Sequence, residues 1–339
     1  MLNCYPERSV FIILMSSMKK ARLSERQSIP LMGFGTYDVH DHNILLNAFK
    51  IGYRHFDLAE SYYNLKYVKA ALTIALQPVE EGGLGIPRDE IWLTMKVNTF
   101  SFKWNDEAET SFELDGIICL DPIRWPSPEE FIRSLLAKVG TEYFDLVLYH
   151  HPDYIFDSKE TLIKAWRMMA DLTTVLVRRV GVSNFYITHI TRLLEICEEC
   201  NLKKPFANEI QINPYIYQSE RDLIQLCSSN DIALIAYSSL GFDGAKKLLA
   251  DPQLLEIAQR IEVSTPQLVL SWLISKNICV IPKSNSYQRQ QENFDSCAIS
   301  VATIDPFVSA IDNLSKEDRV EFLAFSAFEA KKKAAFFCY

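Results

Sequence analysis

Residues 53–77 read YRHFDLAESYYNLKYVKAALTIALQ, and this stretch holds the pattern that decides the fold. Its first part, 53–58, is a short apolar run typical of a buried strand, and 65–77 has the apolar spacing of an amphipathic helix. A strand followed by a helix predicts a crossover unit, in which the next strand runs parallel to the first.

The same alternation continues in both directions along the chain. Eight strands separated by helices favour a closed (β/α)8 barrel, an α/β fold of the TIM-barrel type, over an open doubly wound sheet. A Rossmann dinucleotide site is not expected, because Gly33-Phe-Gly35-Thr36 lacks the third glycine and no helix opens there. The predicted strands are 29–36, 53–58, 90–97, 143–150, 178–184, 206–213, 232–239 and 278–284, and the predicted helices include 42–51, 65–77, 128–139, 159–175, 187–201, 219–230 and 264–276.

Two helix starts carry capping signals. Ser127 precedes Pro-Glu-Glu, which predicts Ser127 as the N-cap with proline in the first helical position. The run Ser264-Thr265-Pro266 similarly predicts Thr265 as an N-cap with Pro266 in the first position.

Composition sets limits on the class of protein. The chain has 339 residues, of which 48% are hydrophobic and 23% charged, and its formal net charge is −8. These values are typical of an ordinary globular protein, and they exclude collagen-like, coiled-coil and wholly disordered chains. The acidic balance argues against a protein that wraps nucleic acid or coats an anionic membrane.

The eight cysteines predict packing thiols rather than a metal site. Only Cys197 and Cys200 lie close together, and a zinc site would need a second ligand pair at suitable spacing. Cys197 continues an apolar helical run, so we expect it to pack in the core. Scattered cysteines favour a reducing compartment, and we expect a cytoplasmic protein.

Three regions make up the predicted domain organisation: a leader at 1–20, the barrel at 21–300 and a partly helical C-terminal segment at 301–339, with a helical run near 316–332. The apolar run 10–15 in the leader is too short for a signal-peptide core or a membrane span. Within the barrel, 98–126 is a long connection after a strand end. In a barrel enzyme such loops shape the site at the C-terminal face of the strands.

Four chemically active side chains follow three neighbouring predicted strands. Asp57 and Tyr62 follow the second strand, Lys96 ends the third and His150 ends the fourth. Singly, each has an ordinary structural explanation, such as a helix cap or a lysine that reaches the surface. Because the carboxyl ends of parallel strands meet at one rim of a barrel, the four are expected to converge there.

Several motifs in order make the chain similar to the aldo-keto reductase superfamily over about residues 20–300. The resemblance implies a (β/α)8 enzyme that reduces carbonyls, with Tyr62 as the general acid and Asp57 holding Lys96. It assigns His150, rather than His151, to orient the substrate carbonyl, together with Tyr37. The motifs are Gly33-Phe-Gly35-Thr36-Tyr37, Asp57-x-Ala59-x-x-Tyr62-x-Asn64, Lys96, His150-x-Pro152, Gly181-Val-Ser183-Asn184-Phe185, Ala236-Tyr237-Ser238, and Ile281-Pro-Lys283-Ser284 with Arg289 and Glu292-Asn293.

The same resemblance implies NADPH/NADP+ as the cofactor. Ser183 and Asn184 resemble the pair that binds the nicotinamide carboxamide, and Tyr237 resembles the aromatic that stacks on the ring. Lys283 and Arg289 resemble a site for the adenosine 2′-phosphate, which favours NADPH over NADH. The full set of implied cofactor residues is Gly35, Thr36, Ser183, Asn184, Glu209, Tyr237, Ser238, Leu240, Lys283, Ser284, Arg289, Glu292 and Asn293.

One residue departs from the family pattern. The family usually has Asn-Gln-x-Glu on the sixth strand, whereas this chain has Asn208-Glu209-Ile210-Gln211. An ionised Glu209 beside the nicotinamide would favour the cationic, oxidised cofactor. The sequence leaves open the alternatives that Glu209 is protonated or paired with a lysine.

Competing functions follow from the same residues. The leading expectation is an NADPH-dependent reductase of small-molecule aldehydes and ketones that acts as a monomer, without nucleic-acid or membrane partners. The alternative is a redox-sensing or regulatory barrel protein that keeps the cofactor and turns over slowly. A third possibility is an isomerase or aldolase that uses Lys96 as a Schiff base, which would need no 2′-phosphate site.

Overall fold

The computed structural model of the chain describes residues 20–24, 27–98, 111–114, 117–120, 127–152, 155–156, 158–173 and 175–314. Three predicted features lie wholly or largely outside these residues: the apolar run 10–15, the helical run near 316–332 and most of the connection 98–126.

The core of the molecule is a barrel of eight parallel strands, in the order β3-β4-β5-β8-β9-β10-β11-β12. An isolated parallel bridge between Met32 and Val280 joins the first barrel strand to the last, which confirms the predicted (β/α)8 fold. The strands are β1 Lys20–Ser24, β2 Gln27–Pro30, β3 Phe34–Gly35, β4 His55–Ala59, β5 Trp92–Val97, β6 Ser111–Leu114, β7 Ile117–Leu120, β8 Leu146–Tyr149, β9 Val180–Ser183, β10 Ala207–Gln211, β11 Ala233–Tyr237 and β12 Cys279–Val280.

The seam where the barrel closes needs a glycine. Gly33 N donates to Val280 O at 2.8 Å, and Gly35 N donates to Pro282 O at 3.3 Å. A Cβ atom on Gly35 would lie 2.7 Å from the carbonyl oxygen of Ile281, closer than a side chain allows. Gly35 therefore lets the first strand approach the segment after the last one.

The prediction of one continuous strand over 29–36 is wrong. The apolar run is divided between β2, which pairs antiparallel with β1, and β3, which pairs parallel with β4. Apolar composition indicates burial, but it does not show which partner each part of a run pairs with. A second antiparallel pair, β6 and β7, lies within the long connection 98–126.

Helices separate the barrel strands as predicted, and most bounds agree to within two residues. Predicted helix 159–175 is the exception, because it ends at Asp171. The helices are α1 His42–Ile51, α2 Leu65–Leu76, α3 Pro128–Val139, α4 Lys159–Asp171, α5 Ile187–Glu199, α6 Arg221–Ser229, α7 Ala245–Leu249, α8 Pro252–Arg260, α9 Thr265–Ser275, α10 Tyr287–Asp295, α11 Val301–Ile304 and α12 Val308–Asp312.

The caps of two helices test the predicted starts. Ser127 caps α3, since its side chain accepts a hydrogen bond from Glu130 N at 3.2 Å, as predicted. The prediction of Thr265 as a cap is wrong, because Ser264 is the N-cap of α9. Ser264 is the favoured cap because the side chain of Gln267, three residues later, accepts a hydrogen bond from Ser264 N at 3.1 Å. This bond completes a capping box.

The last described helices pack onto the barrel. Asp312 in α12 accepts a hydrogen bond from the indole of Trp272 at 2.8 Å and pairs with Lys276 at 2.9 Å. Cys197 is buried in the core, as predicted. Among the described residues no single helix is long and apolar enough to cross a membrane, although one bent pair, Tyr287–Ala298 with Val301–Asp312, passes by length and composition alone.

Candidate active site

The structure brings the four predicted catalytic residues together at the C-terminal rim of the barrel. Lys96 lies opposite Ala59 in the β4–β5 register, and Tyr62 ends the 3-10 turn that follows β4. The Lys96 ammonium nitrogen lies 5.3 Å from the centre of the Tyr62 ring. The ring of His150, which follows β8, is centred 6.1 Å from that of Tyr62.

Lys96 is the buried charge at the centre of the site, with 1% of its side chain exposed. It donates to Asp57 Oδ2, as the resemblance implied, and also to Glu209 Oε1 at 2.9 Å. Burial alone lowers the pKa of Lys96, but Asp57 and Glu209 outweigh that effect and hold the pKa well above its ordinary value. Lys96 is therefore an ammonium at physiological pH.

Tyr62 lies under opposing influences. Burial raises the pKa of its phenol, the Lys96 charge lowers it, and Asp57 and Glu209 raise it again, so that the net pKa lies above the ordinary value. The Lys96 charge favours the ionised phenol, but burial and the two carboxylates outweigh it in the folded protein. The phenol consequently carries its proton and can donate it.

His150 is a neutral imidazole in this arrangement. Burial, together with the nearby His151 and Lys96, lowers the pKa of His150 well below its ordinary value. Its Nδ1 lies 3.4 Å from the hydroxyl of Ser61. His151 is exposed and stacks on His150 with ring centres 4.5 Å apart, so His150 is the histidine that faces Tyr62.

The predicted nicotinamide residues form one hydrogen-bonded network beside His150. Asn184, which has a left-handed φ of 61°, donates from its amide to His150 O at 2.8 Å and to Ser183 Oγ at 3.2 Å. Tyr237 donates its hydroxyl proton to Asn184 Oδ1 at 2.7 Å, and Ser183 Oγ donates to Glu209 O at 2.9 Å. The network fixes these side chains relative to the backbone of His150.

The first strand end supports the site from the other side. Thr36 is buried and donates its hydroxyl proton to Asp57 O at 2.7 Å. Tyr37 is 40% exposed, and its ring is centred 5.2 Å from the Tyr62 ring and 6.2 Å from that of Phe242. Tyr37 therefore lies next to Tyr62, at the open side of the site.

The turn after β11 continues this rim. Ser238 adopts a left-handed φ of 51°, and its carbonyl accepts from Gly241 N at 2.9 Å. Leu240 in the same turn is half-buried.

The predicted phosphate residues gather at the N-terminus of α10. Ser284 is buried, and its hydroxyl accepts from Arg289 Nε at 3.3 Å and from Ser286 N at 3.1 Å. Lys283 lies in an exposed position, 3.6 Å from the carboxylate of Asp38. Further along the helix, Glu292 is half-buried and Asn293 is buried. Two cationic side chains, Lys283 and Arg289, thus lie near Ser284 and a helix N-terminus. This combination suits a phosphate dianion.

Sequence reasoning missed one residue of the site and left the partner of a second open. Ser61, beside the imidazole of His150, stands outside the motif residues, and no spacing signal marks it. Glu209 was expected beside the nicotinamide, whereas its carboxylate is bound to Lys96, which is one of the alternatives left open. Asn64 belonged to a motif, and it is buried with its amide donating to Thr36 O at 2.7 Å and Val39 O at 3.2 Å.

The residues present fit a nicotinamide dinucleotide at both ends. At the nicotinamide end, Ser183, Asn184 and Tyr237 present hydroxyl and amide groups beside His150, and groups of this kind can donate to and accept from a carboxamide. At the other end, no carboxylate among the described residues pairs with Arg289, which leaves its guanidinium available to a phosphate.

Comparisons with known proteins show which family and which fold the chain resembles. The model of the aldo/keto reductase family matches residues 32–316. An aldehyde reductase of Saccharomyces cerevisiae is 32% identical, with 89% of this chain and 93% of the relative covered. Glycerol 2-dehydrogenase (NADP(+)) of the same yeast is 30% identical, with 94% of this chain and 99% of the relative covered. A solved aldo/keto reductase from Brucella melitensis superposes with a TM-score of 0.65 at 30% identity, covering 88% of this chain and 100% of its own.

Proposed function

The chain belongs to the aldo/keto reductase family, and on that premise we propose that it reduces aldehyde and ketone carbonyls to alcohols with NADPH, using Tyr62 as the general acid. Membership makes it an oxidoreductase of the type that uses nicotinamide cofactors. The preference for NADPH and the role of Tyr62 are the parts that we add. One observation carries the proposal: the Tyr62 ring lies beside the buried Lys96 nitrogen and the His150 imidazole at one rim of the barrel.

Tyr62 supplies the proton that the product alcohol needs. A free phenol, with a pKa near 10, is a weak acid, but it can protonate an oxygen on which negative charge develops. The Lys96 ammonium stabilises the phenolate left behind, because it lies beside the ring in a buried, water-poor position. Asp57 keeps Lys96 in place and charged.

His150 orients the carbonyl. Its pKa is held well below the ordinary value, so the imidazole is neutral and can donate one hydrogen bond to the carbonyl oxygen without competing as an acid. Ser61 contacts Nδ1 and Asn184 holds the backbone carbonyl, which together fix the ring. Tyr37 lies at the open side of the site and would contact the substrate.

The cofactor would lie along the same rim. When bound, NADPH supplies the hydride. Ser183, Asn184 and Tyr237 would hold its nicotinamide, and the turn with Ser238 and Leu240 would border it. At the far end Lys283, Ser284 and Arg289 would bind the 2′-phosphate, with Glu292 and Asn293 facing the adenosine. The yeast relative whose name specifies NADP(+) supports this choice.

The same site disfavours a Schiff-base mechanism. An amine attacks a carbonyl only when it is deprotonated, and the two carboxylates raise the pKa of Lys96 well above its ordinary value. Lys96 is therefore better suited to stabilise charge than to act as a nucleophile.

The direct test is to mix the purified protein with NADPH and a panel of aliphatic and aromatic aldehydes and to follow the loss of nicotinamide absorbance. We expect turnover with several aldehydes. Binding of NADPH without turnover of any of them would support the regulatory alternative and contradict the proposal. Substitution of NADH for NADPH in the same assay tests the cofactor preference separately.

A further inference from the structure

Glu209 places a second carboxylate on the lysine of the active site. Its Oε1 lies 2.9 Å from Lys96 Nζ, and the other side of the same ammonium is bound by Asp57. Both carboxylate side chains are 3% exposed and the lysine 1%. One positive charge therefore faces two potential negative charges in a region that water does not reach.

Two oxygens of this cluster lack a partner. Asp57 Oδ1 and Glu209 Oε2 are buried without a hydrogen bond to any described residue. A buried carboxylate oxygen without a donor is unfavourable, because it has lost its hydrogen bonds to water and gained none in return. A proton on Glu209 would remove this penalty, because the protonated carboxyl presents a donor where the carboxylate presents an unpaired acceptor.

Among the residues that the structure describes, the other groups around Glu209 bring no further charge. Tyr62 on the turn after β4, Tyr237 on β11 and Cys279 on β12 are the remaining titratable groups that interact with it. Burial raises the pKa of each, so the two phenols and the thiol stay neutral. The charge state of the cluster is consequently decided among Asp57, Lys96 and Glu209.

We propose that Glu209 is a positioning residue that holds Lys96 and, by taking up or releasing a proton, sets the pH range over which Tyr62 keeps the proton used in carbonyl reduction. This inference rests on the proposed function. With Glu209 protonated, Lys96 and Asp57 cancel; with Glu209 ionised, the cluster has one net negative charge. That charge opposes ionisation of the phenol, which remains an acid to higher pH.

The ionisation state of Glu209 changes in the mildly alkaline range. Burial raises the pKa of Glu209 to about 8, Asp57 adds to the rise, and Lys96 opposes it. An ordinary exposed glutamate would already be ionised near pH 4.3. The carboxyl therefore releases its proton as the solution becomes alkaline, when Tyr62 most needs to be kept protonated.

The test compares the pH profile of carbonyl reduction in three proteins. Single-turnover reduction of one aldehyde is measured from about pH 6 upward, through the range of the carboxyl. The series continues to the highest pH at which the protein stays folded, because the pKa of the Tyr62 phenol is raised above its ordinary value. Glu209→Gln keeps an oxygen that can accept from Lys96 but removes the charge, so we expect the alkaline midpoint to fall by about one pH unit or more. Glu256→Gln, the same change at an exposed position on α8, should leave the profile unchanged.

Glu209→Asp separates the effect of the carboxylate charge from the effect of the length of the side chain. It keeps the carboxylate, so its midpoint should stay within about half a pH unit of the parent even where its rate is lower. A midpoint that is the same in the parent and in Glu209→Gln would overturn the proposal, as would equal shifts in Glu209→Asp and Glu209→Gln.

A second measurement needs neither substrate nor cofactor. Infrared spectra of the protein with isotopically labelled glutamate should contain the band of a protonated carboxyl that disappears with a midpoint near the pKa of about 8. That band should be absent from Glu209→Gln and present in Glu256→Gln. A band of protonated glutamate that is present only below about pH 5 would contradict the inference. Failure of the proposed function would appear differently, as a parent protein that shows the band but reduces no aldehyde.

Discussion

The two ends of the proposed cofactor site use charge in opposite ways. At the catalytic end, Lys96 and its two carboxylates are at most 3% exposed. At the phosphate end, Lys283 is 30% exposed and lies 3.6 Å from an Asp38 side chain that is 65% exposed. Buried charges interact strongly and shift each other's pKa values, whereas exposed ones are screened by water and salt. The first end is suited to moving a proton and the second to capturing an anion.

This difference predicts which substitutions affect chemistry and which affect binding. Removal of a group at the buried end should change rates and stability, and removal of one at the exposed end should change affinity for one cofactor. A single variant that changed both properties equally would break the distinction between the two ends.

The largest effect is expected from Tyr62→Phe. It removes the proton donor and leaves the ring, so reduction should fall by about 10²- to 10⁴-fold, the usual contribution of general acid catalysis. NADPH affinity should stay nearly unchanged, because the phenol lies at the catalytic end. Rates are measured in single turnover and affinities by fluorescence quenching.

The matched control for that variant is Tyr63→Phe, since Tyr63 is the next residue and 74% exposed. It should keep the parental rate. Retention of more than about a tenth of normal activity in Tyr62→Phe would exclude the phenol as the acid, given the expected range.

The same change at the two lysines sharpens the comparison in terms of stability. Lys96→Met leaves Asp57 and Glu209 buried without their cation, and loss of one partner of a buried pair typically lowers the free energy of unfolding by about 3–5 kcal/mol. Lys283→Met removes an exposed charge and should change that free energy by no more than about 0.5 kcal/mol. Urea unfolding at one pH measures both, and similar losses in the two variants would show that Lys96 is not a buried charge.

Much of this architecture was predictable from the sequence because its causes are local. Alternating apolar runs and amphipathic runs predicted the barrel, and the rule that parallel strand ends share one rim brought Asp57, Lys96 and His150 together. The predicted acid, Tyr62, lies among them because only four residues separate it from Asp57. The fold and the catalytic rim are thus accessible to sequence reasoning.

What could not be predicted depends on contacts across the barrel. Strand alternation placed Glu209 on the same face as Gln211, but it could not show whether its carboxylate would reach the nicotinamide or Lys96. That choice depends on how far β10 is displaced along the barrel relative to β5. The division of 29–36 between two sheets could not be predicted for the same reason, because an apolar run does not show which strand it pairs with.

Arg289→Ala tests the exposed end. A charge-assisted hydrogen bond to a phosphate is worth about 1.5–3 kcal/mol, so NADPH should bind about 10- to 150-fold more weakly. NADH lacks the 2′-phosphate, and its affinity should hardly change. Both dissociation constants are measured by fluorescence titration, with Arg133→Ala as the control because Arg133 pairs with Glu129 on an exposed face of α3. Equal affinity of the parent for the two cofactors would show that the phosphate is bound elsewhere.

The smallest expected effect is a change in cofactor affinity caused by Glu209, a residue of the buried end. The oxidised nicotinamide is cationic and the reduced ring is neutral, so an ionised Glu209 should favour NADP+ over NADPH. Lys96 lies 2.9 Å from the same carboxylate and offsets part of that attraction. At a pH where Glu209 is ionised, we therefore expect Glu209→Gln to weaken NADP+ binding relative to NADPH binding by about fivefold, which corresponds to about 1 kcal/mol.

The size of this preference for NADP+ should increase as the pH rises. The pKa of Glu209 is raised to about 8, so at about pH 6 the parent holds a neutral carboxyl, and the ratio of the NADP+ and NADPH dissociation constants should match that of Glu209→Gln. At about pH 9.5 the carboxylate is ionised, and only the parent should gain affinity for NADP+. Separate titrations of each cofactor at both pH values measure the ratio. A preference that is already present at the lower pH would mean that Glu209 is ionised there, so that Lys96, rather than a proton, balances its charge throughout.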